Sequence, residues 1–503
     1  LSRKYLSEHP PVQDGQIIDL EIEDLTSVAE ALAHVDGMAT FTPGLLSGER
    51  ARVKVGKVSK DFARTFPLRL LTASPSRLTP VCPVHLQPRR GMDFQESLHC
   101  GGCQLQIMDR EEQLAFKRKL VQETLQRVSR LEVDVAPVVS GEPWHYRNKM
   151  AFSLTTAEGH LRWGLRSVED GGTPVPLTSC EIAHGELWAG AEKIRMALDE
   201  EFGTALAWNG VNGCIRSATI RYHSGRQEPQ RSPEDRASLD PCIIALFAVA
   251  SFDVETPLRI VKCLASFPEV RVHFTYSDPR ADAVYFDRAQ YLNRPPGKDP
   301  SWGMANFPEE VCAWHTAGPW TTLVGPTSFL QVNDEMAVRL YGRVLDLPFE
   351  ESGFAIDAYC GVGVLTRALA HRFERVVGIE LDIQSIKLAR TTSRRLKDCR
   401  VEWIAEAAEA VFGRLGKQSP RELGRKPDLV VLDPPRKGCQ QEVLRALLSL
   451  KPSDVVYISC HPAALARDLK TLCRDVFRIS SVEPFDLFPQ THHVETLVHL
   501  KRR

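Results

Sequence analysis

From about residue 352 the chain alternates short apolar runs with amphipathic segments. FAIDA, VVGIELD, VEWIAEAA, LVVLDPP and VVYISC are separated by stretches such as SIKLARTTSRRL and QEVLRALLSL. This alternation constrains the fold more than any other feature: it requires an open, largely parallel sheet with helices on both faces. In such sheets ligands sit at the carboxyl ends of the strands. The chemically unusual stretches AYCGVG, IELD, DPPRKG and ISCHP all fall there.

The rest of the chain reads differently. Residues 12–76 alternate β-rich runs with glycine turns and predict a small OB-like β-barrel behind a tail of residues 1–11. On its strand RARVKVGKVSK, Arg50, Arg52, Lys54, Lys57 and Lys60 interleave with apolar residues, giving either a phosphate-facing stripe or an ordinary solvated face. Residues 77–325 predict a mixed α+β central domain, with a cysteine-bearing segment, a periodic helix (DREEQLAFKRKLVQETLQRVSRL) and strands such as SATIRYH. Within it, residues 224–240 are polar and proline-interrupted, as in a loop or insertion. Residues 326–503 form the predicted catalytic domain.

Composition excludes little. With 63 basic and 64 acidic residues the net charge is near zero, so a nucleic-acid partner depends on local clustering. No apolar run reaches the length of about 18 residues that a membrane-spanning helix needs, and the N-terminal residues lack a signal-peptide core. Thirteen cysteines without regular spacing do not form a secreted disulfide framework. A reducing compartment is expected: the cytoplasm of a bacterium, or a plastid or mitochondrion of a eukaryote.

IDAYCGVGVLT places a glycine-rich turn between a strand and a helix, where backbone approaches a ligand closely. Glu380, at the end of the next strand, stands where an acid grips ribose hydroxyls. YISCHPAALARD sets Cys460 at a strand end just before a helix, whose N-terminus is expected to favour the thiolate. Glu495 follows in a later strand-like run. Methylation at a pyrimidine C5 needs both residues, because that carbon is too weak a nucleophile by itself. A thiolate adds to C6, the activated C5 accepts the methyl group, and a base removes the C5 proton so that the thiol can leave.

DPPRKG, YISCHPAALARD and FPQTHHVE, together with SFLQVN at 328–333, resemble the RNA uracil-5 methyltransferases, in particular the 23S ribosomal RNA type with a TRAM barrel and a [4Fe-4S] cluster. The resemblance implies a class I (Rossmann-like) S-adenosylmethionine methyltransferase fold for the catalytic domain. It implies Cys460 as nucleophile and Glu495 as base. Gln331, Tyr359, Glu380 and Asp433 match positions that contact S-adenosylmethionine, while Phe329, Asn333 and His493 lie in the same motifs. Cys82, Cys100, Cys103 and Cys180 match the iron–sulfur ligands; zinc is the less favoured occupant, and His85 and His99 rank below the cysteines as ligands.

His461, Val364 and Ala407 depart from the family pattern, and HLQPRRGMDFQESLH is an insertion between the first two cysteines. Cys360 is expected to pack beneath the glycine turn, and Cys439 to be incidental. The implied partner is RNA, with ribosomal RNA favoured over the tRNA T-loop, and the protein is expected to be a monomer. Arg89, Arg90, Tyr146, Arg147, Asn148, Lys149, Arg436 and Lys437 are candidate RNA contacts. The competing readings are a non-catalytic RNA-binding factor and a cytosine C5 methyltransferase.

Overall fold

The computed structural model describes residues 10–88, 92–95, 97–225, 240–250, 255–276, 289–290, 312–397, 400–417 and 425–503. Arg89, Arg90 and most of the polar span after Ser224 lie outside the described residues.

In chain order the first elements are β1 (Ile17–Glu21), β2 (Asp24–Leu25), β3 (Ala31–Val35), β4 (Met38–Thr42), β5 (Arg50–Val58) and β6 (Phe62–Thr72). Next come α1 (Arg110–Thr124), β7 (Lys149–Ala157), β8 (His160–Arg166), β9 (Pro174–Pro176) and α2 (Gly185–Phe202). They are followed by β10 (Ile215–His223), β11 (Cys242–Val249), α3 (Glu255–Leu264), β12 (Val270–Tyr276) and β13 (Ala289–Gln290). A hairpin of β14 (Ala313–Ala317) and β15 (Trp320–Val324) leads into α4 (Asp334–Leu345). The chain forms two compact units, one of residues 1–117, 164–181 and 488–493, the other of residues 118–163, 182–487 and 494–503.

In the first unit six strands run in the order β1-β5-β6-β4-β3-β2. The sheet curls on itself, with Ile22 N–H donating to Glu49 O (2.9 Å) and Glu23 N–H to Leu32 O (2.9 Å). Strict alternation on β5 puts Ala51, Val53 and Val55 in the core and leaves Arg50, Arg52 and Lys54 exposed. The buried Glu49 carboxylate takes a bidentate pair from Arg77 (2.5 and 2.7 Å) and two backbone N–H groups, from Leu46 (2.8 Å) and Ser74 (3.0 Å).

The second unit holds the predicted parallel sheet. Its strands are β16 (Phe354–Ala358), β17 (Arg375–Glu380), β18 (Val401–Ala405), β19 (Leu429–Leu432), β20 (Asp454–Ser459), β21 (Phe477–Phe485) and β22 (Glu495–Arg502). They run in the order β18-β17-β16-β19-β20-β22-β21, parallel except that β22 is antiparallel to both neighbours. The helices are α5 (Val364–Leu369), α6 (Ile383–Leu396), α7 (Ala408–Lys417), α8 (Gln441–Leu450) and α9 (Pro462–Leu472). The inner strands β16, β19 and β20 are buried along their whole length, which is why their sequences are continuous apolar runs rather than alternating ones. Fully buried Phe354, Ile356, Val430, Leu432 and Tyr457 anchor the core, each apolar side chain contributing about 1.5–3 kcal/mol.

Candidate active site

After Ala358 the chain leaves β16 and turns through residues 359–363 into α5. The turn needs left-handed backbone: φ is 66° at Tyr359, 55° at Gly361 and 76° at Gly363. Tyr359 tolerates this conformation, which costs a side-chain-bearing residue about 1–3 kcal/mol, while its hydroxyl donates to Glu409 Oε1 (3.1 Å). At Gly363 a Cβ would lie 2.1 Å from the Trp403 ring, so glycine is required there for space as well as conformation. Glu380 accepts from Gly361 N–H (3.0 Å) and Asp382 N–H (2.9 Å), so the acid at the end of β17 braces the glycine turn.

The turn opens on a cleft lined by Phe329, Asp357, Tyr359, Cys360, Gly361 and Asp433. Two of the four sequence-derived cofactor residues, Tyr359 and Asp433, therefore line it directly. Gln331 is buried on the wall of a neighbouring small cavity that shares Leu330, Tyr341 and Val364 with the cleft. Its backbone carbonyl accepts from Asn148 Nδ2 (3.1 Å), which fixes the SFLQVN segment. Asn333 acts locally. Its side chain caps α4 by accepting from Met336 N–H (3.1 Å) and donates to Leu487 O (3.3 Å). Cys360 is among the residues that line the cleft, and burial holds its thiol well above the usual range.

Asp357 escapes a reading by motif, although an acid inside the apolar run FAIDA is a visible signal. Burial pushes its pKa up to about 7, with Glu380 adding to the rise and the Thr366 hydroxyl, 2.6 Å away, opposing it. Asp433 is also raised to about 7, first by burial and then by Asp357. The two acids of the cleft, Asp357 and Asp433, thus titrate near neutral pH.

The thiol corner follows from strand register. Ser459, the last residue of β20, pairs with Thr496 of β22. Cys460 follows the first and Glu495 precedes the second, so the two residues stand one step beyond this pair, at adjoining strand ends. Glu495 is buried, and its Oε1 has no hydrogen-bond partner. Burial, then the Asp433 charge, holds Glu495 well above the usual carboxylate range.

The expectation of a depressed thiol pKa is overturned: burial, followed by the Glu495 charge, pushes Cys460 up to about 11. Arg436 of the DPPRKG turn acts in the opposite direction on both groups. The helix end gives little help because it is already capped. His461 Nδ1 accepts from Ala464 N–H (3.2 Å), and Pro462 occupies the first helical turn. A histidine thereby does here the capping work an asparagine does. The backbone N–H of Cys439 donates to Asp468 (2.8 Å), which also receives the Tyr457 hydroxyl (2.7 Å), a bond that does not depend on the thiol.

In the first unit Cys82, Cys100, Cys103 and Cys180 stand near one another. Burial pushes both Cys100 and Cys103 up to about 12, and each is raised further by charge on the other cluster thiols. Gly102 N–H donates to Cys100 Sγ (3.4 Å). Among the described residues, however, no three His, Cys, Asp or Glu side chains stand in ion-holding geometry. His99 is committed elsewhere, its Nδ1 to Glu169 (2.7 Å) and its Nε2 to Ser97 (3.3 Å). His85 Nδ1 is engaged with Leu86 O (2.8 Å). Also in this unit, His493 packs on the Phe488 and His492 rings, and Arg52 is tied to Asp19 (2.8 Å), which neutralises part of the basic stripe on β5.

Of the remaining candidate RNA contacts, Arg436 and Lys437 are exposed, whereas Tyr146 and Asn148 are buried. Lys149 is half-buried. Its pKa falls to about 7, through burial and then the positive charges of Arg221 and Arg147.

The family profile described as tRNA (uracil-5-)-methyltransferase matches residues 324–503, and that of the TRAM domain matches residues 11–65. The chain is 31% identical to an uncharacterized RNA methyltransferase of Halalkalibacterium halodurans, over 98% of this chain and 99% of the relative. It is 30% identical to an uncharacterized RNA methyltransferase of Bacillus cereus, over 98% of each. Among solved structures, the tRNA (uracil-54, C5)-methyltransferase of Pyrococcus abyssi, in complex with S-adenosyl-L-homocysteine, shares the fold. Its TM-score is 0.66 at 22% identity, over 96% of this chain and 100% of that one.

Proposed function

Because the chain belongs to the S-adenosylmethionine-dependent RNA uracil-5-methyltransferase family, with an N-terminal TRAM domain, we propose that Cys460 and Glu495 together convert a uridine of RNA to 5-methyluridine. The observation that carries this is the strand register: it brings a half-buried thiol and a buried carboxyl with an unpartnered oxygen to the adjoining ends of β20 and β22.

The residues of the cleft suit the methyl donor. Left-handed glycines keep side chains off the turn, Tyr359 and Asp433 line the opening, and protonated acids stand ready to ionise beside a cationic sulfonium. S-adenosylmethionine supplies the methyl group, and the protein supplies the rest. Cys460, as the thiolate after losing its proton to solvent, adds to C6 of the uracil, and C5 becomes the nucleophile that takes the methyl group as the donor's sulfur–methyl bond breaks. Glu495, ionised by then, removes the C5 proton, and the C6–S bond breaks. A base with a raised pKa binds that proton strongly. Arg436 favours the ionised forms of both groups and so favours the states that react. The uridine must leave its stack to reach this corner, and the exposed Phe329 at the mouth offers a surface for a displaced base.

Ribosomal RNA is the proposed substrate over tRNA, on the resemblance carried by the barrel and the four cysteines. Cys82, Cys100, Cys103 and Cys180 are proposed to hold a [4Fe-4S] cluster. Support comes from an all-thiol donor set drawn together in one unit and from the N–H donated to Cys100 sulfur. No electron is needed for methyl transfer, so the cluster's part is structural.

Mapping 5-methyluridine in RNA from cells with and without the protein tests the reading. Loss of one modified ribosomal position on deletion, restored by the wild type and not by Cys460→Ala, is the expected result. Unchanged 5-methyluridine in every RNA would overturn it.

A further inference from the structure

The second unit carries a basic groove that the chemistry above does not use. It has a volume of about 910 Å3 and lies between helix α6 and the edge strand β18. Lys387, Arg390, Arg394 and Lys397 line it, at spacings of three, four and three residues. These intervals place Lys387, Arg390 and Arg394 in one stripe along α6, about 10 Å long at the helical rise, with Lys397 just past the helix end. The opposite face of the helix is buried through Ile386, Leu388, Ala389 and Thr392.

The far wall is Val401 and the half-buried Trp403, and no carboxylate is among the described residues that line the groove. Glu402, between those two residues, is instead bound to Arg375 by a bidentate pair (2.7 and 2.9 Å). Arg390 is held at the wall by donating to Trp403 O (2.8 Å), and Arg394 leans on Thr391 Oγ1 (3.2 Å). In a chain whose formal net charge is −1, this cluster is a local choice of charge rather than a general excess.

We infer that this groove is a second RNA-docking surface, which takes the phosphate backbone of a strand flanking the target uridine. The inference rests on the reading of the chain as an RNA methyltransferase. A row of cations facing an aromatic wall, with no carboxylate among the described lining residues, matches a sugar–phosphate chain. Such a surface adds affinity for long RNA without touching the reacting atoms.

The decisive experiment is salt-dependent binding of a fluorescent 30-nucleotide oligouridylate to the full-length protein, wild type against the triple variant Arg390→Gln, Arg394→Gln, Lys397→Gln. Three lost phosphate contacts should lower the slope of log affinity against log salt by about 2 and weaken binding about tenfold at moderate salt. Arg390→Lys with Arg394→Lys keeps the charge and should bind like the wild type. A thermal melt confirms that each variant is folded. In a methylation assay on RNA from cells lacking the protein, the triple variant should raise KM and leave kcat unchanged.

An unchanged salt slope in a folded triple variant overturns the inference, as does equal loss in the charge-retaining variant. Failure of the wild type to form 5-methyluridine would instead refute the catalytic reading, because the binding slopes are measured without turnover.

Discussion

Burial holds many of the protein's thiols protonated, and among them Cys460 and the group of Cys82, Cys100, Cys103 and Cys180 are set apart by their neighbours. Around Cys460 stand Glu495 and Asp433, which raise its pKa, and Arg436, which lowers it. Around Cys100 and Cys103 stand mainly other thiols, which raise one another. The first setting has acids that can accept and return protons beside a single cation. The second has several soft donors whose charges oppose one another, which is the condition a metal centre relieves. A cysteine's role is thus read from what surrounds its sulfur; a raised pKa alone does not distinguish a nucleophile from a ligand.

The sharpest way to break this contrast is to delete sulfur from each set. Cys460→Ala should lower methyl transfer by on the order of 10⁴ or more in a radiolabelled-methyl assay, with no loss of fold by thermal melt. Glu495→Gln should slow turnover by about 10²–10⁴, because the C5 proton stays in place and the protein remains bonded to RNA. Cys103→Ser should strip iron from anaerobically purified protein and lower its melting temperature. Methyl transfer per folded molecule should then remain within about tenfold of wild type. Zinc without iron in the wild type would overturn the cluster assignment.

The pH dependence sharpens the contrast further. With the Cys460 thiol held near 11, chiefly by burial, the thiolate fraction grows about tenfold per pH unit below that value. The logarithm of kcat/KM should therefore rise with a slope of about one between about pH 6 and 9. A plateau in kcat/KM below about pH 8 would show that the thiol of the free protein ionises well below 11. The smallest expected effect is on stability. Asp357 is raised to about 7 in the folded protein, so its contribution is present below the ordinary carboxylate pKa and is lost as pH rises through 7. Asp357→Asn should flatten that part of the stability profile, a difference on the order of 4 kcal/mol in denaturant titrations.

Much of this is legible in the sequence because buried parallel strands leave unbroken apolar runs, and the residues that break a run at its end are the ones a ligand meets. Cys460, Glu495, Tyr359, Glu380 and Asp433 emerge that way or through their motifs. Asp357 escapes because a single acid within an apolar strand resembles noise until its Thr366 partner and its place in the cleft are seen. The depressed thiol pKa fails for a related reason. Helix position is written in sequence, but the local field depends on Glu495 and Asp433, which come from distant segments. The basic stripe of α6 is equally hidden, since its meaning rests on the facing strand and on where Glu402 points.

Peptide-resolved mass spectrometry of Glu495→Gln, incubated with RNA and S-adenosylmethionine, tests the central claim most directly. The account predicts a methylated uridine covalently attached to the peptide that carries Cys460. Attachment at another residue, or full turnover with no adduct, would contradict it.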